Sequence, residues 1–152
     1  MKRTLFGILL CLCTAVFAHA QTDQFDRFSD MDGVSSVYIS KAMFDMMPDM
    51  KSEELNLEGL TGKLENLQVF SSEKSSVIEK MKNTARQVFK PGNGYETLVR
   101  IRDNGEHVDI YLKKHSDNLN EFAVLTQEKN EFTVIIITGR LSQKDLQGMI
   151  GQ

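Results

Sequence analysis

The segment of residues 132–138, FTVIIIT, limits the folds open to this chain more strongly than any other stretch. All of its residues after the first are β-branched, and such residues favour strands. Side chains alternate along a strand, so Val134 and Ile136 would lie on one face. Ile135 and Ile137 would lie on the other. A strand that is apolar on both faces is typical of the centre of a covered sheet. We therefore predict a central strand, and burial of Ile135 and Ile137 in a dimer if no helix covers them.

A hairpin is predicted around Asn104-Gly105, the dipeptide most typical of a two-residue β-turn. This turn fixes the pairing of residues 95–113 and sets Arg100 opposite Asp109, where we expect an ion pair on a solvated face. The core side of the hairpin would carry Val99, Ile101, Val108 and Ile110.

Two helices are predicted from apolar stripes that follow possible N-caps. Ser72, Ser75 or Ser76 could cap the longer one, and Ser76 with Glu79 has the spacing of a capping box. The second closes the chain, and Ser142 with Asp145 repeats that spacing at its start.

Successive hairpins build an antiparallel sheet, and the helices between them must pack on it. We therefore predict a single α+β domain over residues 21–152. Its sheet would have about six strands, the last four of them in a meander, with helices packed on a face.

The first twenty residues have the features of a cleaved export signal. A short basic start and an apolar stretch precede Ala18-His-Ala20, a small-x-small cleavage motif. The apolar stretch is too short for a membrane anchor. We therefore predict cleavage after Ala20 and a periplasmic or extracellular location.

The composition that follows the predicted signal excludes several function classes. Both cysteines lie within the signal, so neither a disulfide framework nor a thiolate site is expected. Loss of Lys2 and Arg3 leaves 18 − 2 = 16 basic against 21 acidic residues, a net charge of −5. Such an acidic protein is a poor candidate for binding nucleic acid. No cofactor is implied, and no nucleophile motif such as Gly-x-Ser-x-Gly occurs, so we expect a protein that is not an enzyme.

Four of the eight methionines cluster in residues 43–50. Thioether sulfurs are soft ligands suited to Cu(I), and Met-x-x-Met spacing would place two of them on one helical face. Packing against the sheet and contact with a partner protein are the alternatives. The candidate metal ligands are Met43, Met46, Met47 and Met50.

Three stretches of the chain resemble a known family. They are the run FDRFS from Phe25, the run VYISKAMF from Val37 and the run TVIIITGRLS from Thr133. These are similar to the secreted Bacteroidetes proteins of the domain of unknown function DUF4252. The resemblance implies a cell-envelope protein without an established activity, and it supplies no functional residues.

The sequence thus predicts an exported, non-catalytic binding or interaction module. Its partner would be another envelope protein, with homodimerisation as a further option and without a stable membrane anchor. Contacts are expected at the methionine segment and at the loop of residues 114–119, since binding residues concentrate in loops. His115 in that loop and His107 in its strand are expected to have surface or structural roles. Cu(I) handling is the alternative function, and a hydrolase with an acidic site is the third.

Overall fold

A computed structural model describes residues 23–46, 59–116 and 118–150. These residues form an α+β fold around one antiparallel sheet, as predicted. Its six strands, in chain order, are β1 (Ser35–Ser40), β2 (Leu64–Ser72), β3 (Tyr95–Asp103), β4 (Glu106–Lys114), β5 (Asn120–Gln127) and β6 (Phe132–Gly139). Across the sheet they follow the order β1-β2-β6-β5-β4-β3. The last four strands form the predicted meander, and the predicted export signal lies outside the described residues.

Helices cover both faces of the sheet, whereas the sequence analysis placed them on one face. The first face carries α1 (Asp23–Ser29) and the long α3 (Ser75–Val88), and the second face carries the short α2 (Lys41–Met46) and the closing α4 (Gln143–Ile150). None of the described helices is long and apolar enough to cross a membrane.

Strand β6 lies in the interior of the sheet, between β2 and β5. Val134 and Ile136 are fully buried on the first face, under α1 and α3. On the second face Ile137 is buried and Ile135 is half-buried. The predicted central strand and its two apolar faces are confirmed.

The hairpin of β3 and β4 has the predicted register, with Arg100 opposite Asp109. Both turn residues, Asn104 and Gly105, have positive φ angles, +46° and +85°, as this tight turn requires. Arg100 Nε lies 3.2 Å from Asp109 Oδ1, which confirms the predicted ion pair.

The predicted core side of this hairpin is only partly correct. Ile110 is buried, but Val99 is 38% exposed and Ile101 is 49% exposed. The reason is that α2 and α4 cover the opposite end of the second face, where they pack on residues such as Leu67 and Ile137. The turn end of the hairpin extends beyond that cover.

One predicted helix cap is confirmed and the other is wrong. Ser142 N donates to Asp145 Oδ2 at 2.8 Å, and Asp145 N donates to Ser142 Oγ at 3.2 Å, so this capping box starts α4. Ser76 and Glu79 form no such box, because the N-cap position of α3 is Lys74, two residues before Ser76. Lys74 makes no side-chain cap hydrogen bond, and the Ser72 hydroxyl, another predicted cap, accepts only the Lys74 N–H at 3.2 Å.

Aromatic rings join α1 and α3 to the sheet on the first face. Phe28 of α1 is fully buried and stacks on Phe70 of β2, with ring centroids 5.4 Å apart. Phe89, directly after α3, stacks on Tyr111 of β4 at 5.8 Å. This packing fixes both helices over the apolar rows of the sheet and leaves the polar rows at its ends uncovered.

Candidate functional site

A row of polar side chains crosses the first face where the apolar rows end. Strand pairing sets Asn66 of β2 beside Thr138 of β6 and Thr138 beside Glu121 of β5. The row continues through Lys113 of β4 to Tyr95 of β3. Residues two positions away along these strands, such as Ile136 and Ala123, belong to the core. The row is therefore a polar border on an apolar surface.

Glu121 is the centre of this border. Its side chain is almost completely buried, with 3% of the residue exposed. Oε1 accepts a short hydrogen bond from the Tyr95 hydroxyl, and Oε2 lies 2.8 Å from His115 Nε2. A carboxylate only accepts hydrogen bonds, so His115 donates to it through Nε2–H. Each oxygen of the buried carboxylate thus has a donor, which is what keeps an acidic group stable in such a place.

The backbone and the neighbouring rings position the two donors. The His115 N–H donates to the Leu119 carbonyl at 2.9 Å, which closes the loop between β4 and β5. Tyr95 packs edge-on against Phe89, with ring centroids 5.1 Å apart, and Lys113 Nζ lies 5.2 Å from its ring centroid. Burial, and then the negative charge of Glu121, hold the pKa of Tyr95 well above its usual value. The phenol therefore remains a hydrogen-bond donor across the physiological range.

Glu121 and His115 line a cavity of about 540 Å³ on the first face. The side of α1 that carries Phe25 and Asp26 forms one wall, and Gln68 of β2 contributes to another. The remaining described residues that line it are Ser29, Ser36, Val37, Tyr38, Asn66, Phe70, Leu119 and Thr138. A concave site of this size, partly apolar and with a few convergent polar groups, is typical of small-ligand binding.

The polar lining favours ligands that donate hydrogen bonds. Glu121 and Asp26 supply carboxylate oxygens, and Asn66 and Gln68 supply amides. Among the described residues that line the cavity there is no lysine or arginine. The electrostatic field inside the cavity therefore favours a neutral or cationic ligand over an anion.

The predicted methionine site is only partly within the described residues. Met43 and Met46 lie three positions apart on α2 and are 44% and 78% exposed. They are not core residues, because Phe44 is the buried residue that docks this helix. Met47 and Met50 lie outside the described residues. The described part of the chain contains no group of three or more histidine, cysteine or acidic residues that could hold a metal ion.

Sequence reasoning missed Tyr95 and Glu121 as site residues. The predicted loop of residues 114–119 does contribute His115 and Leu119 to the cavity. The side-chain alternation of β5 did contain a signal for Glu121. Glu121 points to the same face of the sheet as Ala123, two residues later, so an acidic residue lies on an apolar face. Tyr95 had no such signal, because a bulge between Thr97 and Val99 shifts its partner from Lys114, which the ideal hairpin register gives, to Lys113.

Comparison with known proteins identifies a family but no activity. No functionally curated protein matches the sequence. The crystal structure of PA94, a protein of unknown function from Pseudomonas aeruginosa, is similar over 78% of this chain and 76% of that chain, with 11% identity and a TM-score of 0.33. A likeness at this level supports no conclusion about fold or function. The family model described as Domain of unknown function (DUF4252) matches residues 28–149. This match spans most of the 152 residues, so the chain belongs to the DUF4252 family.

Proposed function

We propose that this protein is a non-catalytic binding module whose ligand enters the cavity beside Glu121. One observation carries the proposal: a buried carboxylate, held by Tyr95 and His115, lies in the wall of a cavity of about 540 Å³. A buried charge that serves packing alone is costly. Because the Glu121 carboxylate lies in the wall of an open cavity, we assign it a role in ligand recognition.

The ligand we propose is a small molecule or chain end that carries an ammonium group. Such a group would donate to Glu121 and Asp26, and the amides of Asn66 and Gln68 would bond its polar neighbours. The apolar part of the ligand would contact Phe25 and the other apolar lining residues. The predicted export signal in residues 1–20 supports a site of action in the cell envelope, as the family resemblance to secreted Bacteroidetes proteins implies.

The hydrogen bonds of the Glu121 carboxylate favour a role in binding over a role in hydrolysis. Both oxygens of Glu121 already accept a hydrogen bond from a protein donor. A general acid or base must instead reach the substrate with a proton to give or take. The engaged carboxylate supplies fixed negative charge, which suits recognition.

The test is a titration of the protein with a primary amine, n-butylamine, monitored by NMR. Butyrate and butanol, of the same chain length, are the anionic and neutral comparison ligands. Glu121→Gln retains the side-chain shape and removes the charge, and Glu96→Gln makes the same change at an exposed position of β3. We expect the amine to bind better than butyrate, and Glu121→Gln alone to weaken it about tenfold. Equal binding by the two Gln variants, each shown to be folded, would reject the proposal.

Soft-metal handling remains a second candidate function because of one observation. Met43 and Met46 are both exposed and three residues apart on α2, so two sulfur atoms are accessible on neighbouring positions of one helix. Thioether pairs suit Cu(I). A Cu(I) competition titration with leucine variants of these residues tests this candidate.

A further inference from the structure

A second cavity, of about 150 Å³, lies on the same face of the sheet, beside the turn end of the β3–β4 hairpin. Lys82 and Arg86 of α3 form one wall. Arg102 of β3 and His107 of β4 form the opposite wall. Other lining residues are Ala85, Asp109, Tyr111, Leu125, Gln127 and Phe132. Basic side chains thus approach one small space from two elements.

One wall places two permanent cations next to each other, and the other places an arginine next to a histidine. Lys82 and Arg86 are four residues apart on α3, where two like charges repel and weaken a helix. Arg102 and His107 are directly opposite each other across β3 and β4, where a protonated histidine would repel the arginine.

The acidic neighbours do not cancel this charge. Asp109 accepts bonds from Arg100 Nε at 3.2 Å and from Arg102 Nη2 at 3.0 Å, so one carboxylate is shared by two guanidinium groups. Lys82 Nζ lies 3.5 Å from Glu79, whose side chain is largely exposed. Arg86 donates to Asn83, an uncharged amide, at 2.9 Å. Cations therefore outnumber carboxylates around the cavity, and Asp109 fixes the orientation of Arg102.

We propose that this cavity binds a phosphate group, either as the free ion or as an ester. Arginine presents a planar set of donors that matches the oxygens of a phosphate group, and lysine adds a point charge. A water molecule occupies roughly 30 Å³ of liquid, so the cavity has room for a group of a few heavy atoms. A bound dianion would convert the repulsion between Lys82 and Arg86 into attraction to a common ligand. This site is distinct from the ammonium cavity beside Glu121 and does not depend on it.

The experiment is a titration of the purified protein with inorganic phosphate and, in a second arm, with glycerol phosphate. Ionic strength is held constant with sodium chloride, so that general screening stays the same. Heteronuclear NMR reports both the affinity and the residues that respond. Arg86→Gln removes one cavity cation, and Lys80→Gln makes the same charge change at an exposed position of α3 that does not line the cavity.

We expect saturable binding with shifts confined to α3, β3 and β4, and a loss of about tenfold in affinity for Arg86→Gln but not for Lys80→Gln. Arg86→Gln should change the stability of the free protein little, because it removes both the repulsion from Lys82 and a cation from the last turn of α3, where a positive charge is favourable. Stronger binding of glycerol phosphate than of phosphate would identify an ester as the ligand, and the reverse would identify the free ion. Absence of saturation in both arms, or an equal effect of the two substitutions, would overturn the proposal.

Discussion

The hydrogen bond from Tyr95 to Glu121 provides a quantitative test of the candidate site. Tyr95→Phe removes the phenol oxygen and keeps the ring that packs edge-on against Phe89. A hydrogen bond to a charged group contributes about 1.5–3 kcal/mol, and both partners here are buried, so little of it is lost to solvent. Near neutral pH we expect the free energy of unfolding to fall by about 2 kcal/mol.

The pH dependence gives the same substitution a second, independent readout. Burial first, and then Glu121, raise the pKa of Tyr95 in the folded protein, whereas in the unfolded chain the phenol ionises near pH 10. The stabilisation is therefore complete below about pH 10, and it is lost by about 1.4 kcal/mol per pH unit above that value. The Tyr95→Phe protein has no phenol to ionise. Its deficit should therefore shrink to less than about 1 kcal/mol at about pH 11.

Urea unfolding of both proteins near pH 8 and pH 11 measures these differences, provided that the slopes agree. Tyr38→Phe is the matched control, because Tyr38 is 65% exposed and its change should stay within about 0.5 kcal/mol. A deficit for Tyr95→Phe within that same range near pH 8 would refute the argument that this bond supports Glu121. A larger deficit that stays constant with pH would refute the assigned direction of the pKa.

Three further predictions concern other parts of the fold. A Cβ at Gly139 would lie 2.5 Å from a backbone carbonyl oxygen, so Gly139→Ala should lower the free energy of unfolding by about 1–3 kcal/mol. Gly148 lies in open space on α4, so Gly148→Ala should raise the free energy of unfolding by about 0.5–1 kcal/mol. The opposite ranking in urea unfolding would contradict this packing. Replacement of Met43 and Met46 by leucine keeps the side-chain volume and removes the sulfur, so it should abolish stoichiometric Cu(I) binding in an anaerobic competition titration. If the wild-type protein binds no Cu(I), the soft-metal hypothesis is rejected. The half-exposed second face should produce a concentration-dependent dimer in sedimentation that Val99→Asp weakens, and a monomer at every concentration removes that prediction.

The dimer prediction rests on one row of side chains that crosses all six strands. Strand pairing aligns the row in the order Val37, Val69, Ile135, Val124, Ile110 and Val99. All six are β-branched and apolar, and Val37 at one edge is 49% exposed. The sequence predicts a dimer only if no helix covers Ile135 and Ile137. That condition is not met for Ile137, which is buried in the second core, whereas Ile135 is only half-buried.

Local signals in the sequence were sufficient for much of the fold. The register of β3 and β4 between Val99 and Ile110 follows from one dipeptide, Asn104-Gly105, because a two-residue turn allows a single pairing next to it. The Ser142 and Asp145 capping box likewise depends only on residues within one turn. The pairing of β2 with β6 has no such signal, since about sixty residues separate the strands and their apolar patterns would fit several neighbours.

The candidate site was less accessible to sequence reasoning because it is assembled from non-local contacts. Tyr95 and Glu121 are 26 residues apart and meet only because β4 lies between their strands. A bulge between Thr97 and Val99 shifts the pairing that an ideal hairpin would give. Without the strand order, neither the polar row nor the cavity above it can be located.

Both proposed sites have a common geometric origin in the helical layer of the first face. Six strands about 4.8 Å apart span about 24 Å, and strands of eight or nine residues are nearly 30 Å long. A helix is about 10 Å wide, and the fourteen residues of α3 extend about 21 Å. The layer of α1 and α3 is therefore too small to cover the sheet, and the rows left open must carry polar residues. At one end these residues include a buried acid, and at the other the cations outnumber the carboxylates. Two cavities of opposite charge preference on one face would let a single small domain bind two ligands of opposite charge. Titration with n-butylamine in the presence and absence of phosphate distinguishes coupled from independent binding.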